Sequence, residues 1–186
     1  VTHNFSPFLD NRAGIAAEQR YKAIGGSSKS GMVAYISPDG IHWKNITGNN
    51  FKSRFIFPNS IRKIDNKLLV GTQIGFYVTD NEGKSWQEKN NGLENLCIHS
   101  VFAKNESEFY LGTTEGFYRS SDGGDSWQRF CDGLNGAGVS SLAIDNLGAV
   151  YIGFENAGIY KSTNRGNSWV AMNSDLGSCF VNEIKI

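Results

Sequence analysis

The chain of 186 residues carries 18 basic and 18 acidic side chains and no formal net charge, so nothing in its balance draws it to nucleic acid or to an anionic surface. Its length suits one domain or a piece of a larger one, and without a run of about 18 apolar residues it offers no membrane-spanning helix. With 22 glycines against 3 prolines and 12% aromatic residues, the composition excludes a helical design and points to many short strands joined by tight turns.

The amino-terminal 46 residues follow no visible period. "HNFSPFLDNRAGIAAEQRYKAIGG" runs from His3 and "GMVAYISPDGIHWK" from Gly31, with the Gly-rich "IGGSSKSG" from Ile24 expected as a hairpin loop. That loop lacks the spacing of a phosphate-binding loop and precedes a strand. These residues resemble a segment of glycoside-hydrolase-like five-bladed propellers related to the fructan- and arabinan-acting families. The resemblance departs at Arg12 and Ala13, where a proline is missing. Such hydrolases place two carboxylates about the glycosidic bond, which would make Asp10 and Glu18 candidates, with Arg20 as an orienting cation. The plainer reading puts Glu18 and Arg20 on a solvated turn and Asp10 at the start of a loop. "SPDGIHW" from Ser37 ends the segment as a turn with one residue fewer than the later ones between its Asp39 and Trp43.

From about Phe57 the chain repeats. Trp43, Trp86, Trp127 and Trp169 are separated by 43, 41 and 42 residues, and "VGT" at Val70, "LGT" at Leu111 and "IGF" at Ile152 keep the same step. One period reads as four short strands, clearest in the third unit: "CIHSVFA" from Cys97, "FYLGT" from Phe109, "GFYRS" from Gly116 and "WQRF" from Trp127. Four antiparallel strands repeated at this length are the pattern of a β-propeller blade. The expected fold is therefore all-β, a propeller of about four blades within a single domain spanning 1–186. A divergent blade occupies 1–56, regular blades occupy 57–95, 96–137 and 138–178, and 179–186 forms the first strand of a further blade. That last strand either completes a small closed ring or marks the chain as a segment of a larger propeller. "KNNGLEN" from Lys89 and "CDGLNGAG" from Cys131 are the connections between blades.

Each regular unit carries an octapeptide: "TDNEGKSW", "SSDGGDSW" and "STNRGNSW". The shared positions are Thr79, Asn81, Gly83, Ser85 and Trp86; Ser120, Asp122, Gly124, Ser126 and Trp127; and Ser162, Asn164, Gly166, Ser168 and Trp169. They are the residues a tight turn needs: a side-chain oxygen that accepts from backbone N–H groups, a glycine for positive φ, and a capping hydroxyl. The tryptophan is expected to pack beneath its hairpin against the blade core. Asn in place of Asp at 81 and 164 keeps the acceptor and loses the charge, which a turn tolerates and a catalytic carboxylate does not.

These octapeptides resemble Asp-box repeats, also called bacterial neuraminidase repeats. Such repeats are found in sialidases, sortilin-type receptors, xyloglucan-degrading propellers and photosystem II assembly-factor-like propellers. The resemblance covers Phe57 to Ile186 and implies turns lying away from a catalytic face, with a secreted or periplasmic setting favoured over others. Sialidase activity would further need an arginine set, and "SRFIFP", with Arg54 ahead of Ile56 and Pro58, has the wrong order for it.

No catalytic or ligand-binding residue is assigned by these patterns. His3, His42 and His99 share no local spacing for a metal, and Cys97, Cys131 and Cys179 form no metal-ligand motif, with a single disulfide left open. No metal or cofactor is expected. The expected role is a non-catalytic binding or scaffold module, with carbohydrate or protein held at the mouth of the channel. The first strands should face that channel through His99, Ser100, Ser140, Ser141, Asn182 and Glu183. Two alternatives remain: part of a glycoside hydrolase of the sialidase or fructan/arabinan-related type, or an assembly surface like that of the photosystem assembly-factor propellers.

Overall fold

The computed structural model describes residues 4–9, 17, 20–27, 31–42, 44–45, 58–134, 138–174 and 180–186. His3, Asp10, Arg12, Ala13, Glu18, Trp43, Arg54, Ile56 and Cys179 lie outside the described residues. Among the described residues sixteen strands form four antiparallel four-stranded sheets, each strand pairing within its sheet with its neighbour in sequence. The first sheet holds β1 (Asn4–Leu9), β2 (Tyr21–Ser27), β3 (Gly31–Ser37) and β4 (Lys44–Asn45). The second holds β5 (Pro58–Ile64), β6 (Lys67–Thr72), β7 (Gly75–Thr79) and β8 (Gln87–Glu88). The third holds β9 (Ile98–Ala103), β10 (Phe109–Thr113), β11 (Gly116–Ser120) and β12 (Gln128–Arg129). The fourth holds β13 (Val139–Ile144), β14 (Val150–Phe154), β15 (Gly158–Ser162) and β16 (Val170–Ala171). This is an all-β propeller, and among the described residues no helix is long and apolar enough to cross a membrane.

Burial within each blade follows strand position. The second strands β6 and β10 are buried almost throughout, β10 because both its faces pack into seams, whereas the two-residue fourth strands of the regular blades are exposed. Near-continuous apolar runs such as "FYLGT" therefore occur in the middle of a blade. The core lies in the seams. One cluster joins Leu69, Phe76 and Val78 of the second blade to Ile98, Val101, Phe109 and Trp127 of the third. Another joins Tyr110 and Phe117 of the third to Val139, Leu142, Val150 and Ile152 of the fourth.

The repeated glycine of "VGT", "LGT" and "IGF" sets how closely blades approach. A Cβ on Gly71 would stand 2.5 Å from Ile98, one on Gly112 2.6 Å from Val139, and one on Gly153 2.4 Å from Val181. Each glycine thus leaves a notch that a β-branched residue near the start of the next unit fills.

Two expectations need correction. Residues 180–186 form no strand. Val181 nevertheless fills the Gly153 notch and its N–H donates to Phe154 O at 3.1 Å. No second strand among the described residues offers this segment a ladder, so it follows the blade edge without joining a sheet. The glycine-rich stretch from Ile24 is also mostly strand: Ile24–Ser27 belongs to β2 and Gly31 opens β3, paired from Tyr21↔Ser37 to Ser27↔Gly31. Glycines weaken a strand without forbidding it where ladder partners are present on both sides.

Candidate functional site

The octapeptide turns share one hydrogen-bond design. In the third blade Ser120 Oγ donates to Asp122 Oδ1 at 2.7 Å and accepts from Gly124 N at 2.8 Å, while Ser126 N donates to Asp122 Oδ1 at 2.9 Å. Ser126 Oγ also donates to Asp122 Oδ2. These bonds hold the Asp122 carboxyl at a pKa of about 2, below its usual 3.8, the Ser126 hydroxyl being the largest cause and burial opposing it. Gly124 sits at φ 88°, in the left-handed region that costs glycine least.

The asparagine copies keep the acceptor and reverse one bond. Thr79 and Ser162 donate to Asn81 Oδ1 and Asn164 Oδ1 at 2.9 Å, and accept from Gly83 N at 3.0 Å and Gly166 N at 2.8 Å. Ser85 N and Ser168 N reach the same carboxamide oxygens at 3.0 and 2.9 Å. Here, however, the carboxamide Nδ2 donates to Ser85 Oγ at 2.7 Å and to Ser168 Oγ at 2.8 Å. A serine hydroxyl donates or accepts equally well, so both chemistries fit one turn.

The tryptophans of the last two turns do not stay within their own blade. Trp127, 4% exposed, meets Phe76 of the preceding blade edge-on at 5.2 Å, and its Nε1 donates to Lys89 O at 2.9 Å. Trp169 meets Phe117 of the third blade at 5.1 Å in the same way. The box glycines lie on the same rings, a Cβ on Gly124 falling 3.1 Å from Phe76 and one on Gly166 2.6 Å from Phe117. The packing against the blade's own core expected from sequence is kept as well: Trp86 rests half-buried with Leu68, Val70 and Tyr77, Trp127 clusters with Phe109, Leu111 and Tyr118, and Trp169 with Val150, Ile152 and Tyr160, so the last two rings bridge the seam. The reason is geometric: the turn overhangs the seam, which brings a phenylalanine ring of the preceding blade within reach.

Away from these turns, the inner edges of the first strands enclose a cavity of about 780 Å³. His99, Ser100, Ser140, Ser141, Asn182 and Glu183 all line it, joined by Asn59, Ser60, Arg62 and Lys63, and no octapeptide residue does. Sequence reasoning missed the last four, although "NSIRK" from Asn59 occupies the place of "HSVFA" from His99. A β-bulge recurs at this place in each regular blade, between Pro58 and Ser60, opposite Gly112 and Thr113, and between Val139 and Ser141. The extra residues, Asn59, His99 and Ser140, are turned inward by it.

Glu183, paired with Lys185 at 3.0 Å, is the one carboxylate among the described residues lining the cavity. Asp10 and Glu18 lie outside the described residues, and Arg20 is exposed, its N–H donating to Ala17 O at 3.3 Å. Cys97 and Cys131 are free thiols. Burial, with Glu155 adding to it, pushes the Cys97 thiol above its usual pKa, so it is a poor nucleophile.

Comparison with known proteins adds the family. The model described as "Photosynthesis system II assembly factor YCF48" matches residues 39–184. No curated protein sequence matches. Among solved structures, YCF48 bound to D1 peptide is similar at 13% identity and TM-score 0.62, over 91% of this chain and 58% of that one. YCF48 from Cyanidioschyzon merolae is similar at 12% and 0.57, over 88% and 54%. The GH74 xyloglucanase from Xanthomonas campestris is similar at 15% and 0.59, over 81% and 28%. At these identities the structures speak for the propeller fold alone, and this chain spans little more than half the length of the YCF48 chains.

Proposed function

This chain belongs to the photosynthesis system II assembly factor YCF48 family, and from that premise we propose that it is a non-catalytic propeller that binds a peptide segment of a protein partner in its central cavity. The observation that carries the reading is the cavity. It is large enough for a few residues of extended chain, and bulges turn polar side chains into it. The solved YCF48 holding a D1 peptide supports a peptide as the ligand class. The octapeptide turns, remote from the cavity lining, act in this reading as joints between blades.

The hydrolase alternative needs two carboxylates facing each other about 5 to 9.5 Å apart. Glu183, tied to Lys185, has no such partner among the described lining residues, which favours binding over hydrolysis. The test is fluorescence anisotropy with a labelled D1 peptide, alongside a xyloglucan oligosaccharide. Saturable peptide binding is expected, and it should be abolished by Asn182→Trp, which fills the cavity from an exposed position, and left intact by Asp122→Ala. Failure of the wild-type chain to bind the peptide overturns the proposal. Cleavage of the oligosaccharide would overturn it in favour of the hydrolase.

A further inference from the structure

The bulge residues of the second and fourth blades are already committed to the seams. Asn59 Nδ2 donates to Ile98 O, the carbonyl that opens the next first strand, at 2.8 Å, and Ser140 Oγ donates to Val181 O at 2.5 Å. The following serine completes a two-point latch. Ser60 Oγ accepts from Val101 N at 3.0 Å, and Ser141 Oγ accepts from Ile184 N at 2.8 Å.

The third blade has the same bulge and the same serine, yet makes neither bond. Among the described residues the ring of His99 has one polar contact, Cys97 Sγ of its own blade at 3.8 Å, at the long end for a sulfur partner. Ser100 Oγ is turned into the space left by Gly112, buried and without a hydrogen-bond partner. Where asparagine or serine ties one blade to the next, the third blade presents to the cavity an imidazole that makes no hydrogen bond to another blade among the described residues.

Resting on the peptide-binding reading above, we infer that His99 is the contact that anchors the peptide main chain in the cavity. Its ring nitrogens hydrogen-bond the backbone amide or carbonyl of an extended peptide, the partner class that the equivalent side chains find in the next blade. The neutral ring carries one donor and one acceptor, matching the two groups each peptide unit displays. Recognition of this kind reads chain direction and position, leaving side-chain selectivity to the rest of the lining.

The test compares variants at the same structural position in successive blades, using the labelled D1 peptide and thermal melting of the same samples. His99→Ala should weaken peptide binding about tenfold, the loss of one hydrogen bond from a desolvated site, with Tm unchanged. His99→Gln, which keeps a donor and an acceptor, should recover part of the affinity. Asn59→Ala and Ser140→Ala should lower Tm, since each opens a latch. In two-dimensional NMR of imidazole nitrogens, peptide should shift the His99 signals and leave those of His42, held by Asp39 on a remote turn, in place. If the wild-type chain binds peptide and His99→Ala binds it equally well, the inference fails and the peptide-binding reading stands. A fall in Tm for His99→Ala matching that of Asn59→Ala, with affinity retained, likewise makes His99 a latch. If the wild-type chain binds no peptide, both readings fall together.

Discussion

The outer turn and the inner bulge of each regular blade repeat with nearly the same period, but in different ways. At the outer turn both backbone and side-chain role recur: Asp122, Asn81 and Asn164 each accept from a hydroxyl and a backbone N–H at nearly the same distances. At the inner bulge only the backbone recurs, while the side chain runs through Asn59, His99 and Ser140. A position where geometry is kept and chemistry varies is free to serve a ligand. A position where both are kept serves the fold.

The strongest way to break this contrast is at Trp127. Its ring is buried in the seam against Phe76, and its indole N–H is bonded to Lys89 O. Trp127→Ala should cost about 3–5 kcal/mol of unfolding free energy, measured by urea titration, with peptide affinity of the folded fraction unchanged. A marginal loss of stability, or a large loss of affinity at full stability, would erase the distinction between joint and site.

The repeat, the blade architecture and the turn chemistry were legible because each rests on local spacing. Phe76, Phe117 and the tryptophans recur at fixed steps, and Gly83, Gly124 and Gly166 mark the turn that needs positive φ. What local spacing cannot show is which blade a side chain meets. Trp127 lies far closer in sequence to Phe117 of its own blade than to Phe76, yet packs on the latter, because the seam is created only when blades stack. The inward-facing residues of β9 and β13 could be read from strand order, whereas Arg62 and Lys63 could not, since the sequence before β5 follows no visible period that would set its register. The opening blade shows the same limit. Its turn closes one residue earlier, with Gly40 N on Ser37 Oγ at 2.9 Å and His42 Nδ1 on Asp39 Oδ2 at 2.7 Å, the imidazole standing where the other turns place a serine hydroxyl.

A smaller effect separates the charged turn from its neutral copies. The Asp122 carboxyl is held at a pKa of about 2 in the folded chain, below the roughly 3.9 of an unfolded aspartate. Its contribution to stability is therefore complete above about pH 4 and lost as pH falls toward 2. Asp122→Ala should cost about 1 kcal/mol near neutral pH, the exposed setting discounting a charged hydrogen bond. Asp122→Asn should cost less and flatten that acid-limb dependence, because Asn81 and Asn164 show that a carboxamide closes the same turn. Denaturant titrations of the three chains between pH 2 and 7 check both; an undiminished acid dependence in Asp122→Asn would remove Asp122 as its source.

The smallest expected change is a gain. In the second and fourth blades Asn90 and Asn173 follow the last strand and accept from Phe76 N and Ile159 N at 2.7 Å, binding the third strand where it leaves its hairpin. The glycine before each, Gly75 or Gly158, is needed because a Cβ there would stand 2.4 or 2.3 Å from the carboxamide. The third blade keeps that glycine as Gly116 but places Cys131 opposite it, its Sγ 2.4 Å from where a Cβ would stand and 4.0 Å from Phe117 O. A thiol is a weak substitute for a carboxamide acceptor. Cys131→Asn should supply the acceptor for Phe117 N and raise stability by about 0.5 kcal/mol, with peptide binding untouched, since the site lies outside the cavity lining. A destabilised Cys131→Asn chain would mean that the third blade has repacked around its cysteine, and that equivalence at the outer edge stops short of this strand.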